Sequence, residues 1–105
     1  MFKTTVMNLN IDSIHFKADS KLLDYIKDRA EKLDKFYDKA IDLNIKLKLE
    51  NNGQVKDKIV EYVMNVPGDK LFVSTVDKTF EAAADMGIDS LKRQLKRFKD
   101  KQRKH

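Results

Sequence analysis

Cations near the end of the chain are the residues best suited to chemistry, and the chemistry they suit is binding to an anion. Residues 91–105 contain eight Lys and Arg side chains and one acid, Asp100, which gives a net charge of +7. The first 90 residues carry 14 basic and 16 acidic side chains, so the whole positive excess lies in the last seventh of the chain. Two or three cations at a helix end complement the helix dipole, and eight exceed that need. We therefore predict a cationic binding surface formed by Lys92, Arg93, Lys96, Arg97, Lys99, Lys101, Arg103 and Lys104.

Side chains for catalysis or metal binding do not form a recognisable set. The chain has no cysteine, which excludes disulfides, thiolate metal sites and a Cys nucleophile. Its two histidines, His15 and His105, are far apart, and neither an H-E-x-x-H motif nor a Gly-rich phosphate loop is present. Carboxylates at i,i+4 spacing, such as Asp85 and Asp89, are typical of an exposed helix face. We therefore predict a protein that is not an enzyme and that needs no cofactor, metal or small-molecule substrate.

Length and composition predict one soluble, cytoplasmic domain over residues 1–105. A chain of 105 residues with 41% apolar content can fill one modest core, while a charged fraction of 37% implies a charged surface. No stretch approaches the roughly 18 consecutive apolar residues that a membrane span requires. The start of the chain lacks the apolar run of a signal peptide. We expect a monomer with no membrane partner.

Alternation of apolar and polar residues predicts four strands, near residues 5–13, 41–50, 56–66 and 71–76. The second strand has the clearest pattern, because five apolar residues alternate strictly with polar ones, which predicts one core face and one wet face. That core face consists of Ile41, Leu43, Ile45, Leu47 and Leu49.

Two turns connect the last three strands. Asn51-Asn52-Gly53-Gln54 predicts a hairpin turn, since Asn and Gly accept the positive φ that tight turns require. Pro67-Gly68 fits the centre of a type II turn, with the φ of Pro fixed and Gly supplying a positive φ. The last three strands should therefore form an antiparallel meander.

Helical spacing of apolar residues predicts two amphipathic helices. The first spans roughly 20–37, with Asp19 or Ser20 as its N-cap. The second begins near residue 78 after Asp77 as a cap, and its apolar stripe runs from Phe80 to Phe98. Gly87 lies in the middle of this helix at a cost of about 1 kcal/mol relative to Ala, and we interpret it as a close-packing point between the two helices.

The order strand, helix, three strands, helix predicts an α+β fold. The first crossover should make strands one and two parallel neighbours, and the short turns add two antiparallel strands. Two amphipathic helices and one half-wet sheet imply a two-layer β-α-β-β-β-α sandwich, with both helices on one face of a four-stranded sheet.

The solvent-exposed faces of the two helices differ in their charge. On the second helix the cations lie away from the apolar stripe and point outward, whereas its first half carries acids on the same arc. On the first helix four lysines form a stripe that includes an acid, which indicates a solvated face with i,i+4 pairs. If the helices pack side by side, this stripe becomes a wall of a groove beside the cationic surface. The four are Lys21, Lys32, Lys35 and Lys39, edged by Tyr25 and Arg29.

The aromatic residues argue against reading of single-stranded bases. Phe36, Phe80 and Phe98 belong to the apolar stripes, so no row of exposed rings is left for base stacking. A cationic face without such rings predicts recognition of phosphates and of shape, as on folded RNA.

Several short segments, taken in order, carry a resemblance that covers essentially the whole chain. They are LDKFYD at 33–38, LKLE at 47–50, VPG at 66–68, FEAAAD at 80–85, and DSLKRQLKR at 89–97 followed by KDK at 99–101. In this order and spacing the chain resembles the short ribosome hibernation promoting factors, relatives of the ribosome-associated inhibitor called protein Y.

The resemblance implies a fold similar to double-stranded RNA-binding domains and a partner, the rRNA of the small ribosomal subunit. Such factors bind between the head and the body, occlude the decoding sites for mRNA and tRNA, and silence idle ribosomes in stationary or nutrient-poor conditions; some also favour ribosome dimers. The resemblance implies rRNA contacts at Lys92, Arg93, Lys96, Arg97, Lys99 and Lys101, and weaker ones at Lys27, Arg29, Lys32 and Lys35.

Two other functions remain open from the sequence. A general double-stranded RNA-binding module would carry the same charge, and so would a scaffold whose basic helix docks an acidic protein. We also expect residues 99–105 to fray in the free protein and to become ordered on RNA.

Overall fold

Six elements make up the fold. The structure is a computed structural model and describes residues 7–52 and 55–103, with side-chain surroundings for 7–50 and 57–101. No helix in these described ranges is long and apolar enough to cross a lipid bilayer. The elements are β1 (Asn8–Ser13), α1 (Ser20–Phe36), β2 (Asp42–Asn52), β3 (Val55–Val66), β4 (Asp69–Asp77) and α2 (Phe80–Arg103).

The four strands form one sheet in the order β1-β2-β3-β4. β1 is parallel to β2, because α1 forms the crossover between them, and the remaining neighbours are antiparallel. Ile11, Ile45, Tyr62 and Val73 face one another in a single row across the sheet. The alternation in the sequence therefore points one side of every strand into the core, and the predicted topology is confirmed.

Both helices pack side by side over this core face and run in the same direction. Near their starts, Tyr25 of α1 contacts Asp85 of α2, and near their ends Phe36 contacts Lys99. The predicted two-layer sandwich is confirmed. Its fully buried side chains, among the described residues, are Ile26, Ala30 and Leu33 from α1, Leu43, Ile45, Leu47, Val60, Tyr62 and Met64 from the sheet, and Ala83, Ala84, Leu91 and Leu95 from α2.

The predicted core face of the second strand is wrong at its two ends. Ile41 is 53% exposed and precedes the strand, which begins at Asp42. Leu49 is 47% exposed, because it lies beyond the last buried cross-strand pair, Leu47 with Val60, toward the hairpin end. The alternation identified the strand correctly but not how far the helices cover it.

The turns follow their sequence signals where they are described. Gly68 has φ of 84°, the positive value that the second central position of a type II turn requires, and Val66 pairs with Asp69 on either side. In the predicted hairpin turn, Asn51 and Asn52 belong to β2, and the pairing of Asn52 with Val55 frames the turn. Residues 53–54 lie outside the described residues. After β1, His15 has φ of 64° and is exposed, a turn conformation that non-glycine residues adopt uncommonly.

The two helices begin at different kinds of cap. Asp19 caps α1 as predicted, since its carboxylate accepts the Leu22 N–H at 2.8 Å. The predicted Asp77 cap of α2 is wrong: Thr79 is the N-cap, and its hydroxyl accepts the Ala82 N–H at 3.1 Å. Asp77 remains the last residue of β4, so α2 starts two residues later than predicted, at Phe80.

Gly87 is a close-packing point between α2 and the sheet, not between the helices as predicted. A Cβ at this position would overlap the ring of Tyr62 on β3. The Tyr62 hydroxyl donates to the Ala84 carbonyl oxygen at 2.7 Å, and the Thr75 hydroxyl donates to that of Ala83 at 2.6 Å. Two strands, β3 and β4, thus hold the first half of α2 through its backbone carbonyl oxygens.

Candidate nucleic-acid interface

The second half of α2 presents cations on a rigid support. Leu91 and Leu95 are fully buried and anchor this part of the helix, so the intervening side chains project outward. Six of these cations have no Asp or Glu oxygen of the described residues within 4.0 Å of a side-chain nitrogen, and five of the six also make no hydrogen bond to α1. Their charge is therefore available to an external anion. The five, here called the α2 cations, are Lys92, Arg93, Lys96, Arg97 and Lys101.

The α2 cations lie on both flanks of the helix. On one flank a groove of about 330 Å³ separates α2 from α1, and Lys92 lines it opposite Lys32. On the other flank a smaller depression of about 180 Å³ borders β4, with Arg97 and Lys101 at its edge. Arg93 lies between the flanks and donates to the Ser90 hydroxyl at 3.3 Å. The helix is therefore a ridge that can meet phosphates from two sides.

Arg29, predicted to contact RNA, is already bound within the protein. Its Nε donates to Asp85 Oδ1 at 3.0 Å, and its Nη2 donates to the Tyr25 hydroxyl at 3.1 Å. The Tyr25 hydroxyl in turn donates to Asp85 Oδ2 at 2.8 Å, and the guanidinium lies 4.5 Å from the centre of the Tyr25 ring. The bonds to Tyr25 and then to Asp85 raise the pKa of Arg29. Asp85 is thus part of a junction between the helices, not the exposed decoration that its spacing predicted.

Lys99, also predicted to contact RNA, bridges the ends of the two helices. Its Nζ donates to the carbonyl oxygen of Phe36 at 3.3 Å and lies 4.7 Å from the centre of the Phe36 ring. That carbonyl is one of the last of α1, which lack partners within the helix. Lys99 therefore caps α1 and covers Phe36, which is 37% exposed and does not belong to the core stripe as predicted.

The other predicted contacts on α1 are spread around the helix. Lys32 lines the groove and also lies 3.9 Å from Asp28, the i,i+4 pair expected from the sequence. Lys35 is exposed and has no carboxylate oxygen of the described residues within 4.0 Å. Lys27 is exposed as well, but it lies about 140° around the helix from Lys32. The structure brings Lys32 beside the α2 cations and leaves Lys27 away from the groove.

Charge is segregated along α2. Asp85 and Asp89 lie in the first half of this helix, and the α2 cations lie in its second half. With Glu81 in the first turn, this order complements the dipole of α2, whereas α1 has no acid in its first turn. A polyanion would be drawn to the second half of α2 and repelled from the first half.

Exposed rings are more frequent than the sequence indicated. Phe72 is 55% exposed on the side of the sheet that the helices leave open, where it pairs with Val63. Phe72 and Phe36 lie on different layers of the fold, so they form no row on which successive bases could stack. The interface therefore still favours phosphate contacts.

The chain matches the family described as Sigma 54 modulation protein / S30EA ribosomal protein over residues 9–103. This match covers every element of the fold except the first residue of β1. The chain belongs to this family. The resemblance to this family of ribosome-associated proteins, stated from the sequence, is thereby confirmed.

Two curated relatives carry the same name. A ribosome hibernation promoting factor of Klebsiella oxytoca is 31% identical over 94% of this chain and 100% of its own length. One of Pseudomonas putida is 29% identical over 91% of this chain and 90% of its own length. This S30EA chain thus matches at least 90% of the length of each of these two relatives.

Two solved structures have a similar fold. A ribosomal subunit interface protein from Coxiella burnetii superposes with a TM-score of 0.80 at 15% identity, covering 90% of this chain and 99% of that one. The N-terminal domain of Thermus thermophilus protein Y superposes with a TM-score of 0.69 at 27% identity, covering 88% and 99%. The first comparison shows the fold alone, and the second shows similarity in sequence as well.

Sequence reasoning missed the role of Tyr25 and Asp85. Both looked like ordinary positions on exposed helix faces, one an edge residue and the other an acid at i,i+4 spacing. Their roles depend on α1 and α2 running in the same direction with these two residues opposite each other. No local pattern carries that information.

Proposed function

We propose that this protein is a ribosome hibernation factor that binds the rRNA of the small ribosomal subunit at the decoding channel for mRNA and tRNA. There it blocks translation by occupying space, as a single copy and without a catalytic step. The observation that carries the proposal is the set of α2 cations, which project from a helix anchored in the core and lack carboxylate partners among the described residues. The family and the names of the relatives support the ribosome as the partner.

Phosphate contacts explain how such a protein can bind tightly and still be removed. Each cation that neutralises a phosphate releases a condensed counterion, so affinity falls steeply as salt rises. The α2 cations together with Lys32 supply six contacts. At roughly 0.7–0.9 per contact we expect a log–log slope against salt of about −4 to −5. No bond is made or broken, so release when growth resumes needs only competition for the site.

Co-sedimentation with purified small subunits tests the proposal. The variant Lys96→Gln/Arg97→Gln removes two α2 cations, and we expect its salt slope to be smaller by about 1.4–1.8. The matched control Lys46→Gln/Lys70→Gln removes the same charge from the open side of the sheet and should keep the slope of the wild type. Absence of wild-type co-sedimentation at low salt, or equal slopes for the two variants, would contradict the proposal.

Inhibition and ribosome state are measured with the same proteins. We expect the wild type to displace mRNA and tRNA from the small subunit and to inhibit translation in a purified system, with the Lys96/Arg97 variant weaker in both. Sedimentation of whole ribosomes with the same proteins also reports promotion of ribosome dimers, as a peak that sediments ahead of single ribosomes. Tight binding without displacement of mRNA or tRNA would place the protein elsewhere on the subunit.

A general double-stranded RNA-binding module is the second candidate, because a ridge with cations on both flanks fits the phosphates of any RNA helix. Competition decides between the two. An arbitrary RNA duplex should compete poorly with intact subunits if the decoding channel is the target, and equally well if any duplex suffices. Recovery of one acidic protein and no rRNA in an RNase-insensitive pulldown would instead support the scaffold function.

A further inference from the structure

Besides the bond from Lys99 to the Phe36 carbonyl oxygen, three side chains make the polar contacts between α1 and α2 among the described residues. Tyr25, Arg29 and Asp85 form a closed ring of hydrogen bonds of 2.8, 3.0 and 3.1 Å, in which each side chain contacts both others. The side chains of Arg29 and Asp85 are 36% and 45% exposed, so water screens the ring only in part. Each bond joins a charged group to its partner, which makes the ring more directional than the apolar contacts beneath it.

This ring lies at one end of the groove between the helices. Arg29 and Asp85 line the groove together with Lys32, Ile88, Asp89 and Lys92. Lys32 follows Arg29 by three residues on α1, and Lys92 follows Asp85 by seven on α2, so both lie on the same side as the ring, one or two turns further on. The ring therefore also sets the distance between Lys32 and Lys92 and their register along the two helices.

We propose that Tyr25, Arg29 and Asp85 form an interhelical clamp that fixes Lys32 relative to Lys92 for rRNA binding, with all three acting as positioning residues. This inference rests on the proposed function. It reassigns Arg29 from a phosphate contact to a positioning residue, and it gives Asp85 a supporting role in binding a polyanion although its own charge is negative.

The geometry disfavours a direct phosphate contact at Arg29. Its Nε and Nη2 are used inside the clamp, and its Nη1 lies 3.7 Å from Asp28. Turning this guanidinium toward a phosphate would leave Asp85 without its cation and beside the approaching anion. The α2 cations require no such exchange.

For one substitution, an effect of charge alone and an effect of side-chain positioning predict opposite changes in binding affinity. Removing a carboxylate near a polyanion strengthens binding if only charge matters, and Asp85→Asn would also free Arg29 for a phosphate. The clamp predicts the reverse: Asp85→Asn weakens binding, because Lys32 and Lys92 lose their fixed spacing. Asp89→Asn is the matched control, since Asp89 lies one turn further along the same groove and outside the hydrogen-bonded ring.

Tyr25→Phe tests the clamp without any change of charge. We expect Tyr25→Phe and Asp85→Asn each to weaken binding to small subunits about three- to tenfold, with the salt slope of the wild type retained. Asp89→Asn should bind as tightly as the wild type or more tightly. The double variant Tyr25→Phe/Asp85→Asn should bind no more weakly than the weaker single variant, because both break the same ring.

Spin labels measure the positioning separately from binding. The chain has no native cysteine, so Glu31→Cys on α1 and Met86→Cys on α2 place two labels on exposed sites. We expect a narrow distance distribution in the otherwise wild-type protein and a broader one with Tyr25→Phe, at an unchanged helix content by circular dichroism. An unchanged distribution would overturn the clamp.

The outcomes separate this inference from the proposed function. If the wild type binds subunits and Asp85→Asn binds more tightly with a steeper salt slope, the clamp is refuted and Arg29 is a latent phosphate contact. A smaller salt slope for Arg29→Gln, by about 0.7–0.9, would also refute it. If the wild type does not bind subunits, the proposed function fails, and the spin-label distances still decide whether the ring fixes the two helices.

Discussion

Replacing Gly87 by Ala perturbs the contact that sets the height of α2 above the sheet. In most helices this change is favourable, because Ala is better than Gly by about 1 kcal/mol in a helix interior. Here the added Cβ would overlap the Tyr62 ring and lie 2.9 Å from both its Cδ1 and its Cζ. The ring cannot move aside freely, since Tyr62 is fully buried and its hydroxyl is bonded to the Ala84 carbonyl.

The expected cost follows from three contributions. Overpacking of a filled core costs about 1–3 kcal/mol. Displacing the Tyr62 ring also weakens its hydrogen bond to Ala84, at about 1 kcal/mol. The gain in helix propensity offsets about 1 kcal/mol. We therefore expect Gly87→Ala to lower the free energy of unfolding by about 2 kcal/mol, or Tm by about 8–16 °C for a domain of this size.

Urea unfolding followed by circular dichroism at 222 nm measures this change. The denaturant dependence, the m value, should stay constant, so the loss appears as a lower midpoint. The double variant Tyr62→Leu/Gly87→Ala provides the control, because without the ring the Cβ has room. In the Tyr62→Leu background we expect Gly87→Ala to be neutral or to stabilise by up to about 1 kcal/mol.

Two results would refute this reasoning. Stabilisation by Gly87→Ala in the wild-type background would mean that α2 moves off the sheet without cost. An equal loss in both backgrounds would mean that the ring of Tyr62 is not what the Cβ meets. In the first case the anchored support of the α2 cations would also need another explanation.

Three further predictions concern the ends and the core of the fold. Thr79→Ala should lower the free energy of unfolding by about 1 kcal/mol in urea melts, whereas Asp77→Ala should cost less than half of that, because Thr79 caps α2; the opposite ranking would restore the Asp77 cap. Burial raises the pKa of Tyr62 above its ordinary value of 10.0, so above about pH 10 the unfolded chain loses this proton while the folded protein retains it. Stability should therefore fall as pH rises beyond that point, less steeply in Tyr62→Phe, and equal pH dependence in both proteins would contradict the assignment. Residues 99–103 should gain hydrogen-exchange protection when the protein binds small subunits; unchanged protection there would show that this last part of α2 is equally ordered in the free protein.

Local pattern was enough to predict the elements and their order. Strict alternation in β2 and helical spacing in α2 are properties of neighbouring residues, and Pro67-Gly68 specifies its own turn. The burial of one face then leaves little choice of topology, because connections are short and a parallel crossover needs a helix. The same patterns failed at Leu49, where the extent of coverage by the helices decides, and at the start of α2, where β4 continues through Asp77 and Thr79 is the cap.

The sequence by itself determined a two-layer fold with one strongly cationic helix end, since periodicity and charge are both readable along the chain. Only the tertiary structure decided which cations remain available. Arg29 meets Asp85 across 56 residues, and Lys99 meets Phe36 across 63. The partner of a long side chain depends on which element folds beside it. The number of charges along the chain does not show which distant residues the fold brings together.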